Sequence, residues 1–413
     1  MKKEEEQVPD WLSIALLICF LSLISISQAQ SNREFKPFII IGKIIGMDSG
    51  KIAITYSQSK VVVRERRTMG PVVCDTVQIK NGVFYFEGNI PGPTVATINC
   101  ERFKYITSFY IDPGIMELAL TTDKFKELKL TGSKTQDEIN DLIFIQKPLN
   151  DISDYLKAEL RHLDSLYRKT KDEKILNKAN NTSEKIDSLH LKIIALSINF
   201  IRSHPKSYIS KRMLDDKSFS DYLTLDSLKT LYNGLSKDIR TSINGQRIKK
   251  EITERKKSVV GVKAPEFKTL DINDKRVYLA DFKSKNEVLL VFWSSWNFYS
   301  RKALPHLNEI FKKYQSKGLV MIGAASVITK DQWKKLIDQD SLSSWQHILA
   351  SGMYIRDPKT VDDLLKLYSV NGNSYYDILP VEILINKRGK IIGRWQGDLE
   401  SLDKKLKEFY KSY

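Results

Sequence analysis

Apolar and polar positions change their period twice along this chain. Between residues 36 and 132, short apolar runs alternate with polar positions and are broken by turn residues every ten residues or so. That pattern predicts strands at 38–41, 51–56, 77–80, 83–86, 94–98, 107–111, 116–120 and 128–130. Asp48-Ser49-Gly50 supplies one turn, and Asn81-Gly82 is a strong short hairpin signal. Many short strands at even spacing predict an all-β, sandwich-like domain.

The period lengthens between residues 134 and 258. Ile186, Leu189, Ile193, Leu196 and Phe200 step by three and four, which places them on one helix face. Ile152, Leu156, Leu160, Leu163 and Tyr167 are expected to do the same. Two such stripes predict a packed helical hairpin. The polar stretch 171–185 contains Asn180-Asn181-Thr182-Ser183, where we expect the hairpin turn. His204-Pro205 predicts a break between helices. Residues 247–257 mix both signs of charge, which marks a solvated helix or linker.

Between residues 260 and 413 strands and helices alternate. Strands are expected at 288–293 and 319–325, helices at 298–314, 330–338, 359–368 and 399–409, and a hairpin at 380–392. This order predicts an α/β layered domain. The whole is read as multidomain: an all-β domain at 36–132, a helical segment at 134–258 and an α/β domain at 260–413.

Residues 11–26 form an uncharged apolar run of 16 residues after Lys2 and Lys3. Ser27-Gln28-Ala29 then offers small residues for cleavage before Gln30. We expect a signal peptide at 1–29 and export to the periplasm or cell envelope. The alternative is an uncleaved anchor at 11–26, although a full span takes about 20 residues. The net charge is +16, but basic and acidic residues are interspersed, with no basic stripe or binding motif for nucleic acid. Of three cysteines, Cys19 lies in the leader. Cys74 and Cys100 are read either as one disulfide or as two buried thiols; a bridge would stabilise the domain by roughly 3.5 kcal/mol on the chain-entropy model. The five histidines show no metal-ligand spacing, and neither metal nor cofactor is expected.

The stretch 293–305 reads W-S-S-W-N-F-Y-S-R-K-A-L-P, after the apolar run 288–292. It resembles the active-site turn of thioredoxin-fold thiol-disulfide reductases, F-W-A-S-W-C-x-x-C-R-x-E-x-P. Gly261-Val262-Lys263-Ala264-Pro265-Glu266-Phe267 resembles the G-x-x-A-P-x-F entry that these reductases share with peroxiredoxins of the AhpC/TSA, or redoxin, superfamily. Residues 380–392 are similar to the family's P-x-x-x-L-I-D-x-x-G-K-I hairpin. The order G-x-I…N-G-x-F-x-F-x-G…P…G-S-K-T-Q in the N-terminal part resembles a β-domain of unknown function found ahead of such domains in Gram-negative envelope proteins.

The resemblance implies cysteines where this chain has Asn297 and Ser300. A thiolate at a helix N-terminus is stabilised by the dipole and by unpaired N–H groups, and a second thiol resolves the mixed disulfide. Asn297 and Ser300 do neither. Asn297 is instead a preferred N-cap. Ser300 lacks a base, since His306 is six residues, about 600°, further round the helix. Pro380 corresponds by resemblance to a cis-proline beside which the family pairs an extended peptide. Before it, 371–379 lengthens the loop by about six residues relative to the family and carries Tyr375 and Tyr376. Aromatic residues favour interfaces, so Trp296, Phe298, Tyr299, Tyr375 and Tyr376, with Leu379 and Pro380, are the candidate partner-binding residues. The expected function is a non-catalytic binding or scaffolding module in the envelope, its partner an envelope protein or extended peptide. The alternative is a thiol-disulfide oxidoreductase that uses Cys74 or Cys100.

Overall fold

The computed structural model describes residues 35–58, 72–100, 105–295, 297–326, 329–350, 362–370 and 379–411. The chain divides into two compact units, Met1–Asp137 and Glu138–Tyr413. Within the described residues, no helix is long and apolar enough to cross a membrane; the candidate leader at 1–29 lies outside them.

The first unit holds β1 (Lys36–Ile45), β2 (Ser49–Ser57), β3 (Val72–Lys80), β4 (Val83–Ile90), β5 (Thr94–Cys100), β6 (Tyr105–Ile111), β7 (Gly114–Thr121) and β8 (Lys129–Thr131). They form one curled eight-stranded sheet in the order β6-β5-β2-β3-β4-β1-β7-β8. Alternate residues face inward: Phe38, Ile40 and Ile44 on β1, Ile52, Ile54 and Tyr56 on β2, Ala96, Ile98 and Cys100 on β5. Their burial, at about 25 cal/mol per Å² of apolar surface, is the main force holding the sheet together. The Asn81-Gly82 turn has φ of 51° and 73° at its two residues, the left-handed pair that a two-residue hairpin needs. Buried Asp112 accepts from Thr135 N at 2.8 Å and Thr135 Oγ1 at 2.7 Å, which fastens the start of the first helix to the sheet.

That helix, α1 (Lys134–Thr170), is followed by α2 (Glu173–Ser203). The hairpin turn is therefore at Lys171-Asp172 and not at Asn180–Ser183, as the polar composition suggested. Lys171 takes φ of 56° and Asp172 caps α2, its Oδ1 accepting from Lys174 N at 2.8 Å. Ala179 and Thr182 are buried, so the helical face continues straight through the polar stretch. Ile152 is also displaced from its expected place: it is exposed, while Leu142, Ser153 and Leu163 are buried. A step of four residues drifts by about 40°, so a run of fours leaves the buried face.

Short helices follow: α3 (Tyr208–Asp215), α4 (Lys217–Ser220), α5 (Leu225–Gly234), α6 (Lys237–Thr241) and α7 (Ile243–Arg255). Side-chain caps from Ser207, Asp216, Thr224 and Ser242 start four of them. The mixed-charge segment 247–257 is mostly α7. It buries Ile248 and Ile252, and its Arg255 pairs with Asp221 at 2.8 Å and Glu251 at 2.5 Å.

The α/β part contains β9 (Lys268–Leu270), β10 (Arg276–Tyr278), β11 (Glu287–Ser294), α8 (Phe298–Tyr314), β12 (Leu319–Ser326), α9 (Lys330–Gln339), β13 (Gln346–Leu349), α10 (Leu364–Leu367), β14 (Val381–Ile385), β15 (Ile391–Trp395) and α11 (Leu399–Lys411). Five strands make a sheet in the order β13-β12-β11-β14-β15. β11 runs parallel to β12 and antiparallel to β14. Every residue of β11 is buried, because the sheet is covered on both faces. This is the thioredoxin-like arrangement.

Candidate functional site

The central strand β11 delivers the chain to the N-terminus of α8. Asn297 is the N-cap, with extended φ and ψ, and its side-chain oxygen accepts from Ser300 N at 2.8 Å. Arg301 N donates to Asn297 O at 3.2 Å. Asn297 and Ser300 are both buried. The Ser300 hydroxyl accepts from Ser294 N at 3.3 Å, so its oxygen points back into the strand end. His306 is exposed on another face of the helix, and the two do not meet. Arg301 donates to Asp340 at 3.0 Å, tying the first turn to the end of α9.

β14 approaches from the other side. Its ladder with β11 ends at Phe292 opposite Val381, which sets Pro380 one residue further, level with Trp293. The Leu379–Pro380 bond is cis, and both residues are buried. Of the remaining candidate contacts, Trp296, Tyr375 and Tyr376 lie outside the described residues; the backbone of Phe298 opens α8, and Tyr299 follows it in the first turn.

Three features of the α/β part were not singled out from sequence. Glu382 stands opposite Val291 in the ladder and is completely buried. Its Oε2 accepts from Gly397 N at 3.1 Å, and its Oε1 has no hydrogen-bond partner among the described residues. Burial, only partly offset by the Gly397 N–H, pushes its carboxyl up to about 8. The second feature lies over Gly323 on β12, where two ring nitrogens converge. His347 Nδ1 and Trp293 Nε1 lie 3.1 and 3.2 Å from where a Cβ on Gly323 would stand. His347 Nε2 donates to Leu342 O at 2.8 Å, leaving Nδ1 as an acceptor; burial lowers the affinity of this ring for a second proton. The third is Trp345, stacked near His347 with Nε1 donating to Asn308 Oδ1 at 3.1 Å. A signal for Glu382 was present: it is the one acid in the apolar run 381–385.

Cys74 and Cys100 are both free thiols. A bridge between them, one of the two readings left open by sequence, is not formed, because alternation along the strands sets them on opposite faces of the sheet. Cys74 is exposed beside Thr55 Oγ1 at 3.6 Å, while Cys100 is buried against Met47 Sδ at 3.7 Å. The reading of two buried thiols fails for Cys74 alone. Among the described residues, no group of three or more His, Cys, Asp or Glu side chains could hold a metal ion.

Residues 260–394 match the AhpC/TSA family, and residues 38–139 match a domain of unknown function, DUF4369. Thiol-disulfide oxidoreductase ResA of Bacillus thuringiensis subsp. konkukian is 30% identical over 162 residues, covering 38% of this chain and 81% of that protein. The chain belongs to the AhpC/TSA family. ResA of Bacillus cereus is likewise 30% identical over 162 residues, with the same two coverages. Among solved structures, a thioredoxin domain of a thiol-disulfide oxidoreductase from Bacteroides vulgatus is 27% identical, covers 37% of this chain and 97% of that one, and has a TM-score of 0.30. Residues 260–394 are thus a redoxin-like domain related to thiol-disulfide oxidoreductases; the chain's three cysteines, Cys19, Cys74 and Cys100, all precede it, and no two of them are close together in sequence.

Proposed function

We propose that this chain is an exported, non-catalytic thioredoxin-like module that binds an extended peptide or envelope protein beside Pro380. The observation that carries the reading is Asn297. Its side-chain oxygen accepts the N–H of Ser300 at the helix N-terminus, where the family resemblance expects a thiolate. The cap keeps the helix start and removes the nucleophile in one substitution. The leader-like segment at 1–29 supports export, and the resemblance of Pro380 to the proline beside which the family pairs an extended peptide supports main-chain pairing there. Tyr375 and Tyr376, in the lengthened loop before it, are the aromatic contacts of this reading.

The test is a disulfide-reduction assay with the full chain. The wild type is expected to show no turnover above background. The Asn297→Cys, Ser300→Cys double variant is expected to gain turnover and to trap its peptide partner as a mixed disulfide. Turnover by the wild type that is lost in Cys74→Ser overturns the reading and establishes the oxidoreductase alternative. Separately, Tyr375→Ala with Tyr376→Ala is expected to weaken capture of the trapped partner; unchanged capture removes the loop from the binding surface.

A further inference from the structure

The exposed side of α1 carries an apolar stripe that the packing of the hairpin does not use. Phe144, Pro148, Ile152 and Tyr155 step by four, four and three, and Ile145 lies beside them. Phe144 is 78% exposed, Tyr155 71%, Ile145 54% and Ile152 51%. The helix packs on α2 through a different face, with Leu142 and Leu163 buried and Gln146 Nε2 donating to Ser197 Oγ at 2.9 Å. The stripe is therefore uncovered, although it lies on a long helix in one compact unit.

We propose that this stripe is the interface with a second copy of the chain, packed antiparallel across a two-fold axis near Leu149. Three observations favour this occupant. The stripe has a large aromatic residue at each end, so reversal lays Phe144 beside the partner's Tyr155. Its flank carries Lys147 and Asp151, which bond to each other within the helix at 2.8 Å and are both exposed. In an antiparallel pair, like flanks meet. Reversal about Leu149 therefore sets Lys147 against the partner's Asp151, and Asp151 against the partner's Lys147, forming a four-charge network. A parallel pair separates these flanks and loses the match. Finally, the area is sufficient. These side chains leave on the order of 500 Å² open per copy, so a pair buries about 1,000 Å², near the lower bound for a specific contact. An anionic membrane is a poorer fit, because Asp137 and Asp141 precede the stripe on the same side of the helix.

Sedimentation velocity on the full chain tests this. The mean mass is expected to rise from monomer toward dimer across the micromolar range. Phe144→Glu with Tyr155→Glu is expected to hold the chain monomeric throughout. Lys147→Glu alone, or Asp151→Lys alone, is expected to weaken association about tenfold by facing like charges. The Lys147→Glu, Asp151→Lys double variant is expected to restore it. Far-ultraviolet circular dichroism unchanged from wild type shows that these exposed substitutions leave the helix intact. A wild-type chain that stays monomeric at every concentration overturns the proposal, as does a charge swap that fails to restore association. Monomeric protein that binds a different polypeptide through α1 also overturns it.

Discussion

Glu382 sits in a strand whose other residues, Val381, Ile383, Leu384 and Ile385, are all apolar and buried. One carboxyl oxygen takes the Gly397 N–H, and the other has no partner among the described residues. Keeping the proton is the least costly state for such a group. Its pKa is raised from 4.5 to about 8, so the folded chain holds a proton that the unfolded chain releases above about pH 4.5. Stability from this group therefore falls as pH rises between those values, and it levels off above about pH 8. The Glu382→Gln variant is expected to lose most of that slope and to melt higher than wild type under alkaline conditions. Melting curves from mildly acidic to alkaline pH check this; parallel curves for the two proteins would show that Glu382 is not the titrating group. At the same scale, Asn297 was legible in the sequence as a cap, because the residue type and its place before an amphipathic run carry that information. The partners of Glu382 were not. An acid in an apolar strand announces itself, but the Gly397 N–H that meets it is 15 residues away.

Helices and strands were largely readable from period. β11 and α8 fall within a residue of the expected ranges, since a fully apolar run and a capped amphipathic run are strong local signals. Polar composition points to a break at 180–183, while the real α1–α2 break depends on the left-handed backbone of Lys171. Polar residues continue a helix well when their turn of the face is exposed. How β12 sits against its neighbours was not readable at all. Gly323 lies between Val291 on β11 and His347 on β13 in the sheet, and its missing side chain leaves room for Trp293 Nε1 and His347 Nδ1. Gly323→Ala places a methyl group 3.1 and 3.2 Å from these buried rings, so one must shift. Such overpacking is expected to cost about 1–3 kcal/mol in denaturant midpoint analysis. A neutral or stabilising outcome would show that the rings yield freely.

Within the second unit, the helical segment and the α/β part are joined by polar contacts. Arg394, half-buried on β15, donates to the carbonyls of Ser258 at 3.3 Å, Tyr368 at 3.0 Å and Ser369 at 3.1 Å. Ser258 Oγ also donates to Tyr368 O at 2.8 Å, and Tyr368 Oη donates to Pro265 O at 2.6 Å. One guanidinium thus ties the exit of α7 to the residues just after α10. A further link joins Lys302 on α8 to Glu184 on α2 at 2.5 Å, but it is exposed and contributes little. Arg394→Ala leaves the carbonyls it served without their donor in a part-buried site. It is expected to cost about 3 kcal/mol or more and to raise amide exchange around residues 256–262. If exchange there is unchanged, the guanidinium does not couple the two parts.

From its amino-acid order alone, the chain determined what short-range physics controls. That includes which stretches are strands or helices, where Asn-Gly turns and Asn297 caps belong, and that no thiol stands at the α8 turn. These depend on residues a few positions apart. Tertiary structure decided everything that joins distant residues. It set Cys74 and Cys100 on opposite faces of one sheet, brought Arg394 to Ser258, and sealed Glu382 under Gly397. It also left the Phe144–Tyr155 side of α1 uncovered. A periodic pattern names the faces of an element, but only packing determines which face finds a neighbour.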